Sequence, residues 1–329
     1  MKVDLKNKTK NQHFLSQSEQ RLNASNPIPS DHKNARIFEF NVIDRENFKI
    51  EPCSKKGRPI RKSLSFIDLF SFDIPSNGDD RYNFEDLFKT YEHKVRDITL
   101  NLLSKLKTPG TDVASEIQSI FAIKYMNLVR NPYSAKEVLN TLPHLRNLKP
   151  TDNSHLANFE RVLNGSKPQQ KYLCELLNIS KEDYTDWLGI IFIALAPLAK
   201  NESNFINTMT EHLLSNKNYY VAVIIYTFED HSCLLSDRGF STPLPENDHL
   251  SFDFNLTSKS FIRYIFTDID SIVPGRMTEE EIENFKATKE IKSFHIHNDI
   301  QSLSIYNKHV VSQCNSKVFC SDPICFGLD

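Results

Sequence analysis

Short stretches near both ends of the chain alternate apolar and polar residues, which is the pattern of β-strands with one buried face. Residues 35–42 and 48–51 alternate in this way on either side of the turn residues 44–47, so they predict a β-hairpin. Further along, residues 219–228 form a continuous apolar, β-branched run that is typical of a fully buried strand. Three more strands are predicted, at 249–256, 261–266 and 318–320.

The middle of the chain, at about 83–215, has a helical period in which apolar residues recur every three or four positions. Asn83 is a suitable N-cap for the first helix, and acidic residues follow it in the first turn. A later helix is expected to end at Asn131, because the residue before a proline is pushed out of the α region. The helical pattern at 183–214 contains Pro197, which is expected to kink or interrupt it.

Strands on both sides of a helical middle predict an α+β fold, in which the N-terminal hairpin and the C-terminal strands share one sheet. Residues 1–11 are polar and predict a flexible tail, and 12–329 predict a single α+β domain. Within the C-terminal part, 232–235 is predicted to be the hairpin partner of the preceding strand. The last helix is predicted at 298–314.

Composition and charge narrow the classes of function. The chain has 8 glycines in 329 residues and contains no glycine-rich phosphate loop, so no nucleotide cofactor is expected. Its formal net charge is −2, which gives no global attraction to nucleic acid. Residues 1–12 lack the apolar segment of a secretory signal, and the apolar run 187–199 is too short to span a membrane. A cytoplasmic protein with six reduced cysteines and no membrane partner is therefore predicted.

Three polar side chains stand at the edges of apolar runs and are candidates for one convergent site. His13, preceded by Gln12, has the side chain of a general base or metal ligand, or it packs at a strand edge. Asp237, preceded by Ser236, follows a strand and either binds a divalent metal or forms a turn. Asn307 either orients a phosphate or water, or bonds to a neighbouring backbone.

Other groups of residues have side chains suited to nucleic-acid or metal binding. Five cations within residues 55–62 either contact phosphates or form a solvated loop; they are Lys55, Lys56, Arg58, Arg61 and Lys62. A His-Asn-His type of nuclease site would use His13 and Asn26 with His32 or Asn34, but no clear helix follows to carry the third residue. A zinc site would draw on Cys314, Cys320 and Cys325 near His309, and on His295 and His297, which precede them. Their spacing is irregular for zinc, so ordinary thiols are the better interpretation.

The order of these pieces resembles an uncharacterised, mostly bacterial family, domain-of-unknown-function family 4238. Short motifs along the chain carry the resemblance: Gln12-His13-Phe14-Leu15, Ile37-Phe38-Glu39-Phe40, Asn83-Phe84-Glu85-Asp86 with Glu92, Arg130-Asn131-Pro132, Leu235-Ser236-Asp237-Arg238 and Tyr306-Asn307. The resemblance implies an accessory or effector protein of bacteria, in a defence or toxin setting.

These features predict a bacterial defence or toxin-type effector that acts as a metal-dependent nuclease on RNA or DNA. The catalytic candidates are His13, Asp237 and Asn307, with Mg²⁺ or Mn²⁺ on Asp237. Gln12, Ser236 and Arg130 are the supporting candidates. The alternative is a non-catalytic module that binds a protein partner in a defence or toxin complex.

Overall fold

A computed structural model describes residues 4–26, 32–73, 81–199, 202–243, 249–269, 278–287 and 291–328. The chain divides into two compact units, where the sequence predicted a single domain. The first, called here the helical unit, comprises Met1–Ser16, Ser63–Val95 and Tyr125–Met209. The second, called the sheet unit, comprises Gln17–Lys62, Arg96–Lys124 and Thr210–Asp329.

The helices of the described chain are concentrated in its middle, as predicted. They are α1 (Gln17–Arg21), α2 (Glu85–Lys105), α3 (Ala114–Arg130), α4 (Ala135–Thr141), α5 (Asn153–Asn164), α6 (Gln170–Leu177), α7 (Lys181–Leu195), α8 (Phe205–Ser215), α9 (Glu279–Ala287) and α10 (Ile300–Gln313). Short 3-10 turns lie at His32–Asn34, Ile60–Lys62, Pro132–Ser134 and Pro143–Asn147.

The strands lie mostly before and after that helical middle. They are β1 (Asn11–His13), β2 (Arg36–Asp44), β3 (Lys49–Pro52), β4 (Arg58–Pro59), β5 (Ser65–Ile67), β6 (Tyr219–Thr227), β7 (Leu235–Ser236), β8 (His249–Thr257), β9 (Ser260–Asp268), β10 (Lys292–His297) and β11 (Lys317–Cys320). Strands and helices of these lengths confirm the predicted α+β class.

Aromatic side chains form the core of the helical unit. The fully buried Trp187 of α7 packs against Phe70, with ring centroids 5.8 Å apart, and its indole N–H donates to the Val129 carbonyl. Helix α7 starts with a capping box between Ser180 and Asp183. It ends at Leu195, because the residue before Pro197 adopts an extended conformation. The predicted interruption near Pro197 is therefore confirmed.

Residues 4–11, which the sequence assigned to a flexible tail, pack into the helical unit. Leu5 is buried, and its carbonyl accepts the backbone N–H of Asn83. The backbone N–H of Asn7 donates to the Arg81 carbonyl, and strand β1 pairs antiparallel with β5. Backbone hydrogen bonds and a buried leucine thus fix this segment, whose polar composition suggested mobility.

One sheet of the sheet unit joins strands from the two ends of the chain, in the order β3-β2-β11-β7, with β4 also paired to β2. The hairpin β2–β3 was predicted, and so was its meeting with a C-terminal strand. The prediction that 232–235 pairs with the preceding strand, β6, was wrong. Leu235–Ser236 pairs with β11 instead. The buried amide of Asn307 bonds to Leu234 and holds this segment on α10.

A second sheet of the sheet unit has the order β10-β6-β9-β8. Strand β6 is central and pairs antiparallel with β9, whereas β10 joins it in parallel. Strand β10 was not predicted. Helix α10 contributes to a core shared with both sheets, in which Tyr306 stacks on Phe261 at 4.1 Å between ring centroids and Phe40 and Val318 are also buried.

Candidate functional site

Asp237, the predicted metal ligand, holds a backbone turn in the sheet unit. Its side chain is buried and accepts backbone N–H groups from Asn315 (2.7 Å), Ser316 (2.8 Å) and Lys317 (2.9 Å). Burial raises the pKa of the Asp237 carboxyl, and the three N–H groups act in the opposite direction. Both oxygens are therefore used in fixing the chain at the start of β11.

Asn307, the predicted phosphate-orienting residue, is also enclosed by backbone. Its amide oxygen accepts the Leu234 N–H at 2.9 Å, and its amide nitrogen donates to the carbonyls of Ser232 (3.2 Å) and Phe326 (3.0 Å). The hydroxyl of Ser236, the supporting candidate next to Asp237, accepts the Arg238 N–H in a local turn. The contacts of Asn307 match the backbone-bonding alternative given for it from the sequence.

His13 belongs to the helical unit, whereas Asp237 and Asn307 belong to the sheet unit. The imidazole of His13 is half-buried at the end of β1, and its Nε2 lies 3.5 Å from the side-chain amide of Asn11. Gln12 is fully buried and bonds to the hydroxyl of Ser71. The convergence of the three catalytic candidates therefore stays a prediction.

Arg130, the third supporting candidate, is a buried cation at the end of α3. Its Nη1 lies 2.6 Å from the Glu92 carboxylate, and its guanidinium lies over the Phe88 ring. Among the described residues, its Nε and Nη2 have no hydrogen-bond partner. Burial and the nearby Glu92 charge raise the pKa of Glu85 to about 7, and Arg130 acts in the opposite direction.

The five cations of residues 55–62 are all exposed in the sheet unit. Arg58 is already engaged, because its Nη1 lies 3.0 Å from the buried carboxylate of Glu39, which also pairs with Lys317. The other four lysine and arginine side chains extend from the loop around the short strand β4. Their contact with nucleic acid remains a prediction.

The late thiols and histidines are distributed over different environments. Cys314 and Cys320 are buried in the core of the sheet unit, and His309 is partly buried on α10. Over the described residues, no group of three or more histidine, cysteine or acidic side chains is arranged to hold a metal ion. Cys314 and Cys320 thus contribute to the core, whereas His295 and His297 lie in a polar environment.

His295 and His297 form a polar cluster with residues at the end of β6. The Thr227 hydroxyl lies 2.8 Å from His295 Nε2 and 3.0 Å from His297 Nδ1. The other nitrogen of His297 lies 3.2 Å from the Glu229 carboxylate and 3.1 Å from the Asn298 side-chain amide. A hydroxyl thus bridges two imidazoles, and a carboxylate holds one of them.

The parallel pairing of β6 and β10 produces this arrangement. Thr227 and His297 are register partners, and His295 lies two residues earlier on the same face of β10. The carboxyl ends of parallel strands meet at one edge of a sheet, where loops carry site residues. There, Asn298 has a positive φ of 56°, and its backbone N–H donates to the Thr227 carbonyl. Its side-chain oxygen accepts the Glu229 N–H at 3.0 Å.

The cluster is open to solvent. The His297 side chain is 51% exposed and that of Glu229 is 69% exposed. Burial and the neighbouring His297 both lower the pKa of His295, so its imidazole is neutral at pH 7. The carboxylate of Glu229 contacts the outer ring nitrogen of His297. Two imidazoles joined through one hydroxyl have the arrangement of an acid–base pair.

Sequence reasoning considered His295 and His297 only as zinc ligands and assigned no role to Thr227 or Glu229. A signal was present, because the His-Ile-His spacing places both imidazoles on one face if residues 292–297 form a strand. The strand itself was missed, since the segment is exposed and contains only two large apolar residues. The partner Thr227 is 68 residues away and enters only through the sheet pairing.

Comparison of the chain with protein-family models, with curated proteins and with solved structures gives no match. Throughout the described ranges, every helix is too short or too polar to cross a membrane.

Proposed function

We propose that the protein is a nuclease that cleaves RNA by acid–base catalysis at the cluster of Thr227, His295 and His297. The observation that carries the proposal is the Thr227 hydroxyl between two imidazoles, at 2.8 and 3.0 Å, with Glu229 on the far side of His297. RNA is the substrate class, because its 2′-hydroxyl supplies a nucleophile that a neutral histidine can activate.

His295 takes the role of the base. Because burial and His297 lower the pKa of His295, its ring is neutral at pH 7 and able to accept a proton. His297 takes the role of the acid, since the Glu229 carboxylate lies 3.2 Å from its Nε2 and fixes the orientation of the ring. Thr227 donates a hydrogen bond to a phosphoryl oxygen and keeps the two rings in position before substrate binds.

The reaction balances without another reactant. His295 takes the proton of the 2′-hydroxyl as that oxygen forms a bond to phosphorus. The bond from phosphorus to the 5′ oxygen breaks, and His297 gives its proton to the leaving oxygen. The products carry a 2′,3′-cyclic phosphate and a 5′-hydroxyl, and exchange of protons with water restores both rings.

The test compares single-stranded RNA with a 2′-deoxy oligonucleotide of the same sequence, in EDTA. We expect cyclic-phosphate ends from RNA and no cleavage of the deoxy oligonucleotide. His295→Ala and His297→Ala should each lower the rate by about 10²–10⁴-fold. His212→Ala is the matched control, because His212 is an exposed histidine on α8 in the same unit.

Two outcomes contradict this mechanism. Cleavage that requires Mg²⁺ or Mn²⁺ and includes DNA would favour the metal-dependent nuclease predicted from the sequence. Absence of cleavage in every arm, together with capture of a stable protein partner, would favour the predicted interaction module. The cytoplasmic location and the bacterial defence or toxin setting are part of the proposal, and the setting rests on the family resemblance alone.

A further inference from the structure

A stacked pair of aromatic rings includes His231, which comes shortly after Thr227 and Glu229 in the chain. The His231 imidazole lies on the Phe326 ring with centroids 3.9 Å apart and an angle of 18° between the planes. Both side chains are partly exposed. Phe326 also packs against the core of the sheet unit, so His231 is the member of the stack to which a further ring can be added.

Buried hydrogen bonds hold this pair in place. The Asn307 amide nitrogen donates to the carbonyl of Phe326 and to that of Ser232, the residue after His231. The hydroxyl of Ser232 bonds to Ser321 at 2.9 Å and to the carboxylate of Asp322. Asn307 therefore fixes the two backbones that carry the rings, and the stack is formed before any ligand arrives.

The pair is close in the chain to a residue of the histidine cluster. Glu229 contacts His297 and lies two residues before His231, so the Cα atoms of Glu229 and His231 are at most about 7 Å apart. A cation lies beside the same loop, because Lys259 Nζ donates to the Asp230 carbonyl at 2.9 Å. An aromatic face next to a cation is the combination that single-stranded nucleic acid requires.

We propose that the His231–Phe326 pair is the base-stacking subsite of the enzyme, with Lys259 contacting a backbone phosphate beside it. The proposal rests on the proposed function for its substrate class. It predicts a preference for single-stranded RNA, because the bases of a duplex are already stacked and paired. It also predicts little sequence preference, since every base offers a π-face.

Binding is measured by fluorescence anisotropy in the His297→Ala background, so that cleavage does not interfere. The probe is a labelled 2′-deoxy single strand, since stacking does not need the 2′-hydroxyl. Adding His231→Ala should weaken binding about 5- to 150-fold, the range for loss of one stacking contact. His231→Phe should retain binding, because it keeps an aromatic face. His212→Ala, elsewhere on the sheet unit, should leave binding unchanged.

A second measurement does not depend on variant folding. On the chain with only His297→Ala, an oligonucleotide made of abasic residues should bind more weakly than the normal strand by a similar factor. Equal binding of the two strands, or equal losses with His231→Ala and His231→Phe, would overturn the subsite. If wild-type protein cleaves no RNA but binding still depends on His231, the proposed function is overturned and the stacking subsite is supported.

Discussion

The Asp237 carboxylate accepts N–H groups from three consecutive residues, so its first effect is on stability. Asp237→Asn replaces one oxygen with an amide that faces donors, and should lower the free energy of unfolding by about 2–3 kcal/mol. Chemical denaturation measures this, with Glu211→Gln at an exposed position of α8 as a control expected to stay within about 0.5 kcal/mol. Unchanged stability with lost nuclease activity would instead support the metal-ligand prediction.

The pH dependence of RNA cleavage is set by His295. Its pKa is lowered from 6.5 by burial and by His297, so the base form persists to a lower pH than for a free histidine. The acidic limb of kcat/KM should therefore have its midpoint below pH 6.5. RNA binding by His297→Ala over the same pH range controls for changes in affinity. A midpoint at or above 6.5 would contradict the assignment of His295 as the base.

At the scale of elements, the start of α2 contains a carboxyl whose ionisation opposes folding. The pKa of Glu85 is raised from 4.5 to about 7, so the folded state keeps a proton that the unfolded state loses. The free energy of unfolding should therefore fall as pH rises from about 4.5 to about 7, and then stay level. Glu85→Gln removes this decline.

At pH 8, Glu85→Gln should be more stable than wild type by about 1–2 kcal/mol, a range reduced for the partial exposure of the side chain. At pH 4.5 the two proteins should differ little. Urea denaturation at both pH values measures the difference. Glu137→Gln, at an exposed position of α4 in the helical unit, is the control, and an equal effect from it would contradict the explanation.

Helices and strands with a clear apolar–polar periodicity in their own residues could be predicted from the sequence. The hairpin β2–β3, the strands β8 and β9 and the end of α3 before Pro132 all follow from local patterns. Strand β10 could not be found in this way, because parallel pairing with β6 stabilises it and its side chains are mostly exposed. The pairing of 232–235 was predicted wrongly for a related reason. Its position depends on Asn307, some 70 residues later, which accepts the Leu234 N–H.

At the scale of the whole molecule, the predicted site was derived from local sequence patterns, whereas the histidine cluster depends on contacts between distant strands. Asp237 and Asn307 were chosen as polar residues at the edges of apolar runs, but such positions are also where buried polar groups bond to backbone. Thr227 and His297 come from strands 70 residues apart, and their hydrogen bond depends on a parallel register that no local pattern encodes. Chemistry assembled by tertiary pairing is hidden in a single sequence.

A net charge of −2 means that any electrostatic attraction of the protein to RNA must come from local patches. The loop at 55–62 is the patch that the sequence predicted. Arg58 pairs with Glu39, and the other exposed cations of the loop are Lys55, Lys56, Arg61 and Lys62. Each phosphate contact on a single strand contributes about 0.7 to the slope of log K against log salt. Replacing all four with glutamine should therefore reduce that slope by up to about 3.

The slope is measured with single-stranded RNA on the His297→Ala background, at several salt concentrations. A matched variant replaces four exposed lysines elsewhere with glutamine: Lys94, Lys107, Lys136 and Lys171. Both variants change the net charge by the same amount, so a difference between them isolates the patch from the global field. If the two slopes fall equally or not at all, the loop does not contact RNA, and the acid–base cluster must acquire its substrate through the aromatic pair and Lys259 alone.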